Sequence, residues 1–118
     1  MVQPKLKVAI REPADQVRIL DLRGPITRAT HEPLTTAFDK ASSGGEEVVI
    51  LNFGEVEAMD SYGLGLLIAL LARAQQQKQR LVACGLGAQL QQALQVAHLD
   101  DALDVYASEA EALQSLGR

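Results

Sequence analysis

The chain has 118 residues, 47% of them hydrophobic and 22% charged, with 11 Lys and Arg against 15 Asp and Glu for a net charge of −4. That length suits one α/β domain over 1–118 with a core of its own, and the apolar content excludes intrinsic disorder. The acidic surplus argues against direct binding of nucleic acid, which needs a concentrated basic surface, and the longest apolar run, around Leu64–Leu71, is far short of the roughly 20 residues of a membrane-inserted helix.

The opening residues, MVQPKLKV, lack the apolar core of a secretion signal, and a lone Cys84 fits a reducing, cytoplasmic setting. Leu6, Val8 and Ile10 then alternate with Lys5, Lys7 and Arg11, the pattern of a half-buried strand. Glu12-Pro13-Ala14-Asp15 reads as a turn, and a second strand follows through Val17, Ile19, Leu20 and Leu22 to Gly24-Pro25. Thr30 stands as the N-cap of a helix carrying Leu34, Ala37, Phe38 and Ala41, with Pro33 in its first turn and Ser42-Ser43-Gly44-Gly45 as its stop.

Val48-Val49-Ile50-Leu51 is continuously apolar, which marks a central strand covered on both faces. A long helix spans about Ser61 to Gln77, then come a strand at Leu81–Cys84, a helix through Leu90, Leu94 and Ala97, and a short strand at Leu103–Tyr106. Ser108 and Glu111 have capping-box spacing at the start of a last helix. The order ββαβαβαβα predicts a single mixed, mostly parallel sheet with packed helices, the hairpin supplying an antiparallel edge strand.

In such sheets function collects where a strand's carboxyl end meets the next helix, and the unusual junction here is Asn52–Gly65, NFGEVEAMDSYGLG. Asp60 or Ser61 caps the helix. Gly63 and Gly65 fall in its first turns, where each glycine costs roughly 1 kcal/mol relative to alanine; close approach of a partner and tight internal packing both account for them. Leu64, Leu67, Ile68 and Leu71 form the stripe expected to face the sheet. Leu66 and Leu70 fall on another side, to be buried by a second helix or presented to a partner. Ser61 is either a plain cap or a phosphoacceptor, whose added charge a helix N-terminus tolerates and an apolar interface does not.

The element order and these motifs together resemble the STAS family, the sulfate-transporter and anti-sigma factor antagonist domain. The resemblance runs through Leu20-Asp21-Leu22-Arg23-Gly24, Thr30–Phe38, Val48–Phe53, Met59-Asp60-Ser61-Tyr62-Gly63-Leu64-Gly65 and Leu81–Gly85. It implies a non-enzymatic, cofactor-free and metal-free switch. The serine after the aspartate is phosphorylated by an anti-sigma factor with serine-kinase activity, and the unmodified protein binds that kinase and frees the sigma factor. Carried onto this chain, Ser61 is the phosphoacceptor and Asp60 its acidic neighbour; together with the helix pattern this puts the expected partner surface on Asp60, Ser61, Tyr62, Gly63, Leu66, Leu70 and Thr27. Thr27 stands in the loop where many phosphorylatable members carry an acid, and Tyr62 where a small residue is frequent. The alternative within the family is a subunit that docks on a membrane-transport complex, such as a lipid-transport ATPase, without a phosphoswitch.

Other chemistries find no residues. A receiver domain needs an aspartate ending the third strand, where Asn52 stands, and a late lysine, of which none follows Lys78. Gly63-Leu64-Gly65 lacks both the third glycine of a dinucleotide site and the Lys-Ser/Thr of a P-loop. Neither His31 nor His98 is placed by the sequence as a base for Ser61, and two histidines with Cys84, read as a buried strand residue, show no metal-ligand spacing.

Overall fold

The computed structural model describes residues 5–43, 48–99 and 103–116, so Gly44-Gly45, expected to stop the first helix, lie outside the described residues. Strand β1 (Lys7–Ala14) pairs antiparallel with β2 (Val17–Ile26), with Ile10 opposite Leu20, across a tight turn in which Gln16 takes a left-handed φ of 64°. Strands β3 (Val48–Met59), β4 (Arg80–Cys84) and β5 (Asp104–Tyr106) add in parallel, giving one five-stranded sheet in the order β1-β2-β3-β4-β5. The parallel crossovers are helices α1 (His31–Ser43), α2 (Ser61–Gln76) and α3 (Ala88–Val96), and α4 (Glu109–Ser115) closes the described chain. The mixed, mostly parallel sheet with a hairpin edge is therefore present, with Val48–Leu51 at its centre.

Alternation along each strand divides the apolar residues between two faces. Leu20, Leu22, Val49, Leu51, Phe53, Leu81 and Ala83 pack against Leu34 and Phe38 of α1, Leu67 and Leu70 of α2 and Leu94 of α3. Val17, Ile19, Val48, Ile50, Val82 and Cys84 form a second, smaller core with Ala112 of α4. Both faces of β3 are covered over Val48–Leu51, which is why that stretch shows no polar alternation. Burial also pushes the Cys84 thiol up to about 11, so it is a packing residue rather than a nucleophile.

Two expectations are corrected by the chain between the sheet and its helices. Strand β2 does not stop at Gly24-Pro25 but runs to Ile26, and β3 continues to Met59, well past its last pairing with β4 at Asn52–Cys84. The two strands satisfy each other's backbone groups through register shifts at Asp21/Arg23 and Gly24/Ile26, and this moves the strand–helix junction out to Asp60. Thr30 is likewise not the cap of α1. A 3-10 turn, Arg28–Thr30, precedes that helix with Thr27 as its cap, and the Thr30 hydroxyl accepts from the Thr27 N–H (2.9 Å) and donates to the Pro25 carbonyl (2.8 Å).

Helices α2 and α3 end the same way. The Gln79 N–H reaches the Ala74 carbonyl and Lys78 that of Gln75; Leu99 reaches Leu94 and His98 reaches Gln95. Lys78 and His98 thus sit at the left-handed position of a Schellman motif (φ 59° and 60°), which glycine occupies without a Cβ clash. Lys78→Gly and His98→Gly should each stabilise the protein by about 1 kcal/mol, read as a raised urea midpoint with an unchanged slope.

The uncovered end of the α4-side face is polar. Arg11 pairs with Asp21 and Glu109, and Asn52 Nδ2 donates to Asp21 Oδ1 (2.9 Å). The Arg11 guanidinium, helped by Asn52, holds the Asp21 carboxyl below its ordinary value against the opposing effect of burial. A depressed folded-state value gives stability that is present above the unfolded value near 3.9 and is lost as pH falls through the folded one. Both partners are partly exposed, so the amount is about 1 kcal/mol or less. Asp21→Asn should lower stability at pH 7 by that amount and flatten the acid limb below about pH 4, measured by urea unfolding from pH 7 to pH 2.

Candidate functional site

Asp60 has extended backbone (φ −93°, ψ −174°), and its Oδ1 accepts from the Gly63 N–H at 2.8 Å. The aspartate, not the serine, caps α2. Ser61 becomes the first helical residue, exposed, with its hydroxyl bonded to no other described residue. Division of labour between the two neighbours leaves one side chain structural and the other free.

Gly63 is buried where α2 crosses the end of β2. A Cβ there would press into the Ile26 carbonyl and lie 2.7 Å from Met59 Cγ, and the Asp60 N–H donates to that same carbonyl (3.4 Å). Gly65, further round the helix, is exposed, and a Cβ on it would meet nothing within 4 Å. Internal packing therefore accounts for the first glycine and not for the second.

Tyr62 lies over the junction. Its hydroxyl is 3.1 Å from Nδ1 of His31, their rings meet edge to face at 5.9 Å, and the Arg28 guanidinium carbon is 5.2 Å from its ring centre. Arg28 belongs to the turn between β2 and α1 and His31 is the first residue of α1, so the pairing of β2 with β3 brings both against Tyr62, the residue after Ser61. Thr27 is on the same connection, but its hydroxyl is engaged in the 3-10 turn, accepting from the Ala29 N–H (3.2 Å).

Leu66 and Leu70 require a correction. They are 8% and 2% exposed, in the core with α1 and the sheet, and form no partner face on the folded protein. Ile68, expected to face the sheet, is instead 44% exposed. The buried positions of α2 are Gly63, Leu66, Leu67, Leu70, Leu71 and Ala74, a regular helical stripe that begins on a glycine and ends on an alanine. A stripe started from Leu64 is turned by one residue, and counting Gly63 as a buried position is the signal that corrects it. The exposed apolar surface is the neighbouring one: a shallow groove of about 390 Å³ between α2 and α3, lined by Leu64, Ala93, Val96 and Ala97, with Val96 75% exposed.

A family model described as "Mlab, STAS domain" matches residues 10–107. A search of the curated proteins gave no significant match. Among solved structures, the chain is similar to an anti-sigma factor antagonist from Mycobacterium paratuberculosis, with TM-score 0.83 and 18% identity over 96% of this chain and 95% of that one. It is similar to the Bacillus cell fate determinant SpoIIAA in its phosphorylated form, with TM-score 0.73 and 19% identity over 93% and 99% of the two chains. It is also similar to a sulfate transporter family protein from Wolinella succinogenes, with TM-score 0.75 and 22% identity over 85% and 84%. At these identities the likenesses show the fold.

Proposed function

Since the chain belongs to the STAS domain family, we propose that it is an anti-sigma factor antagonist that binds a serine-kinase anti-sigma factor and is released when Ser61 is phosphorylated. One observation carries the reading: the residue at the family's acceptor position is exposed on the first turn of a rigid helix and relieved of capping by Asp60. A kinase reaches its hydroxyl without unwinding anything. The γ-phosphoryl group of ATP passes to Oγ, ADP leaves, and the hydroxyl proton goes to the kinase's base.

The modification adds about −1.5 to −2 charges at neutral pH beside the carboxylate of Asp60, at the edge of the surface offered to the partner. Desolvating that charge in an interface costs several kcal/mol, and each 1.4 kcal/mol is tenfold in affinity. Ser61→Asp should therefore weaken binding of the kinase at least tenfold while leaving the melting temperature within about 2 °C, because an acid at a helix N-terminus is favourable. Ser61→Ala should bind normally, accept no phosphate and lose no cap, whereas Asp60→Ala should lose about 1 kcal/mol of stability.

The test is mass spectrometry of the protein incubated with ATP and its anti-sigma factor kinase, beside titration of Ser61→Asp. No phosphate on Ser61, together with unchanged affinity of Ser61→Asp, overturns the switch. That outcome would favour a second reading, a STAS subunit docked on a membrane-transport complex, which is supported by the likeness to a sulfate transporter family protein.

A further inference from the structure

We propose that Arg28 is an in-chain receptor for the phosphoryl group on Ser61, held ready on the ring of Tyr62; this rests on the reading of Ser61 as the acceptor. Arg11, Arg18, Arg23, Arg73 and Arg80 each pair with a carboxylate. Arg28, among the described arginines, instead lies exposed over an aromatic face. An exposed cation–π contact is worth only about 0.5–1 kcal/mol, so this guanidinium is easily recruited. Its segment is tied to the turn that carries the acceptor. Tyr62 follows Ser61 directly, and the carbonyl of Ile26, two residues before Arg28, accepts from the Asp60 N–H.

The rest of the cluster fits that task. His31 fixes the Tyr62 hydroxyl at 3.1 Å, so the ring that carries Arg28 is itself anchored to α1. Asp60, engaged with the Gly63 N–H, leaves a carboxylate beside the acceptor, and a phosphate formed there meets a like charge. A guanidinium matches phosphate with paired N–H donors and is exchanged from a weak contact into a strong one. Phosphorylation then changes the surface twice: it adds a group at Ser61 and draws Arg28 away from Tyr62, removing a cation–aromatic pair that the unmodified protein presents.

The experiment installs phosphoserine at position 61 during translation and follows the phosphate by ³¹P NMR from pH 4 to pH 8 in the parent, Arg28→Gln and Arg73→Gln. Arg28 is exposed, so its replacement leaves the fold intact, and Arg73 near the far end of α2 is the control for a lost charge. The phosphate in the parent and in Arg73→Gln should titrate about half a pH unit or more below that in Arg28→Gln, since a nearby cation favours the dianion. Coincident titrations of the parent and Arg28→Gln overturn the proposal. No kinase enters this measurement. No phosphate on Ser61 from the kinase, together with unchanged affinity of Ser61→Asp, would therefore sink the switch and leave the titration readable, while coincident titrations would remove Arg28's role and leave the switch standing.

Discussion

Gly63→Ala should cost about 3 kcal/mol or more, a fall in melting temperature of about 10 °C, whereas Gly65→Ala two residues later should raise stability by about 1 kcal/mol. Both changes gain the same helix propensity, because alanine loses less backbone entropy than glycine. The surroundings reverse the sign. At Gly63 the new methyl group meets the carbonyl of Ile26, a backbone atom already accepting from the Asp60 N–H, and β2 is locked in the sheet and cannot retreat. At Gly65 the methyl group enters open space. Urea unfolding of the two variants checks the pair, and equal effects would show that α2 does not pack on β2 as described. If Gly65 is small because a partner's backbone approaches it, Gly65→Ala will also weaken kinase binding while the protein itself becomes more stable.

The double variant Leu66→Gln/Leu70→Gln should fail to fold. Each substitution removes a buried leucine, worth about 2–5 kcal/mol, and forces an amide into an apolar site with no hydrogen-bond partner. Together they reach the roughly 5–15 kcal/mol that holds a typical protein of this kind together. Circular dichroism and gel filtration should show lost helix and aggregation. Ile68→Gln on the neighbouring exposed face should change the melting temperature by no more than about 2 °C. A well-folded double variant would place those leucines outside the core and return them to the role of a partner face.

Much of the architecture was legible because it is written in local pattern. The alternation of Leu6, Val8 and Ile10 with lysine and arginine marked the edge strand, and the unbroken Val48–Leu51 marked the sheet centre, since side chains there are buried on both faces. Ser108 also caps as its spacing predicts: its oxygen accepts from the Glu111 N–H at 3.2 Å, and Glu111 reaches back to the Ala107 N–H at 3.3 Å. What failed was the extent of the strands: Glu12-Pro13-Ala14, read as a turn, belongs to β1, whose turn is at Asp15-Gln16, and β2 and β3 outrun their expected ends. Glycine and proline at 24 and 25 read as an end, but paired strands absorb them through register shifts that no window of sequence reveals.

At the candidate site, local pattern was enough to identify the strand–loop–helix setting of Asp60-Ser61, the pair of glycines, and the surplus of apolar residues on α2 beyond what one face requires. Which of those features is internal depended on packing in three dimensions. Capping passed to Asp60 because its extended backbone aims the carboxylate at the Gly63 N–H, and this released Ser61. Leu66 and Leu70 went to the core because the close approach at Gly63 fixes how α2 is rotated on the sheet, and the same rotation turned Ile68 outward. Tyr62 meets His31 from 31 positions further along the chain, and Arg28 joins them on the same ring. Residues that far apart meet through the pairing of β2 with β3, and that contact is set by the packing of the whole sheet rather than by any periodicity within either segment.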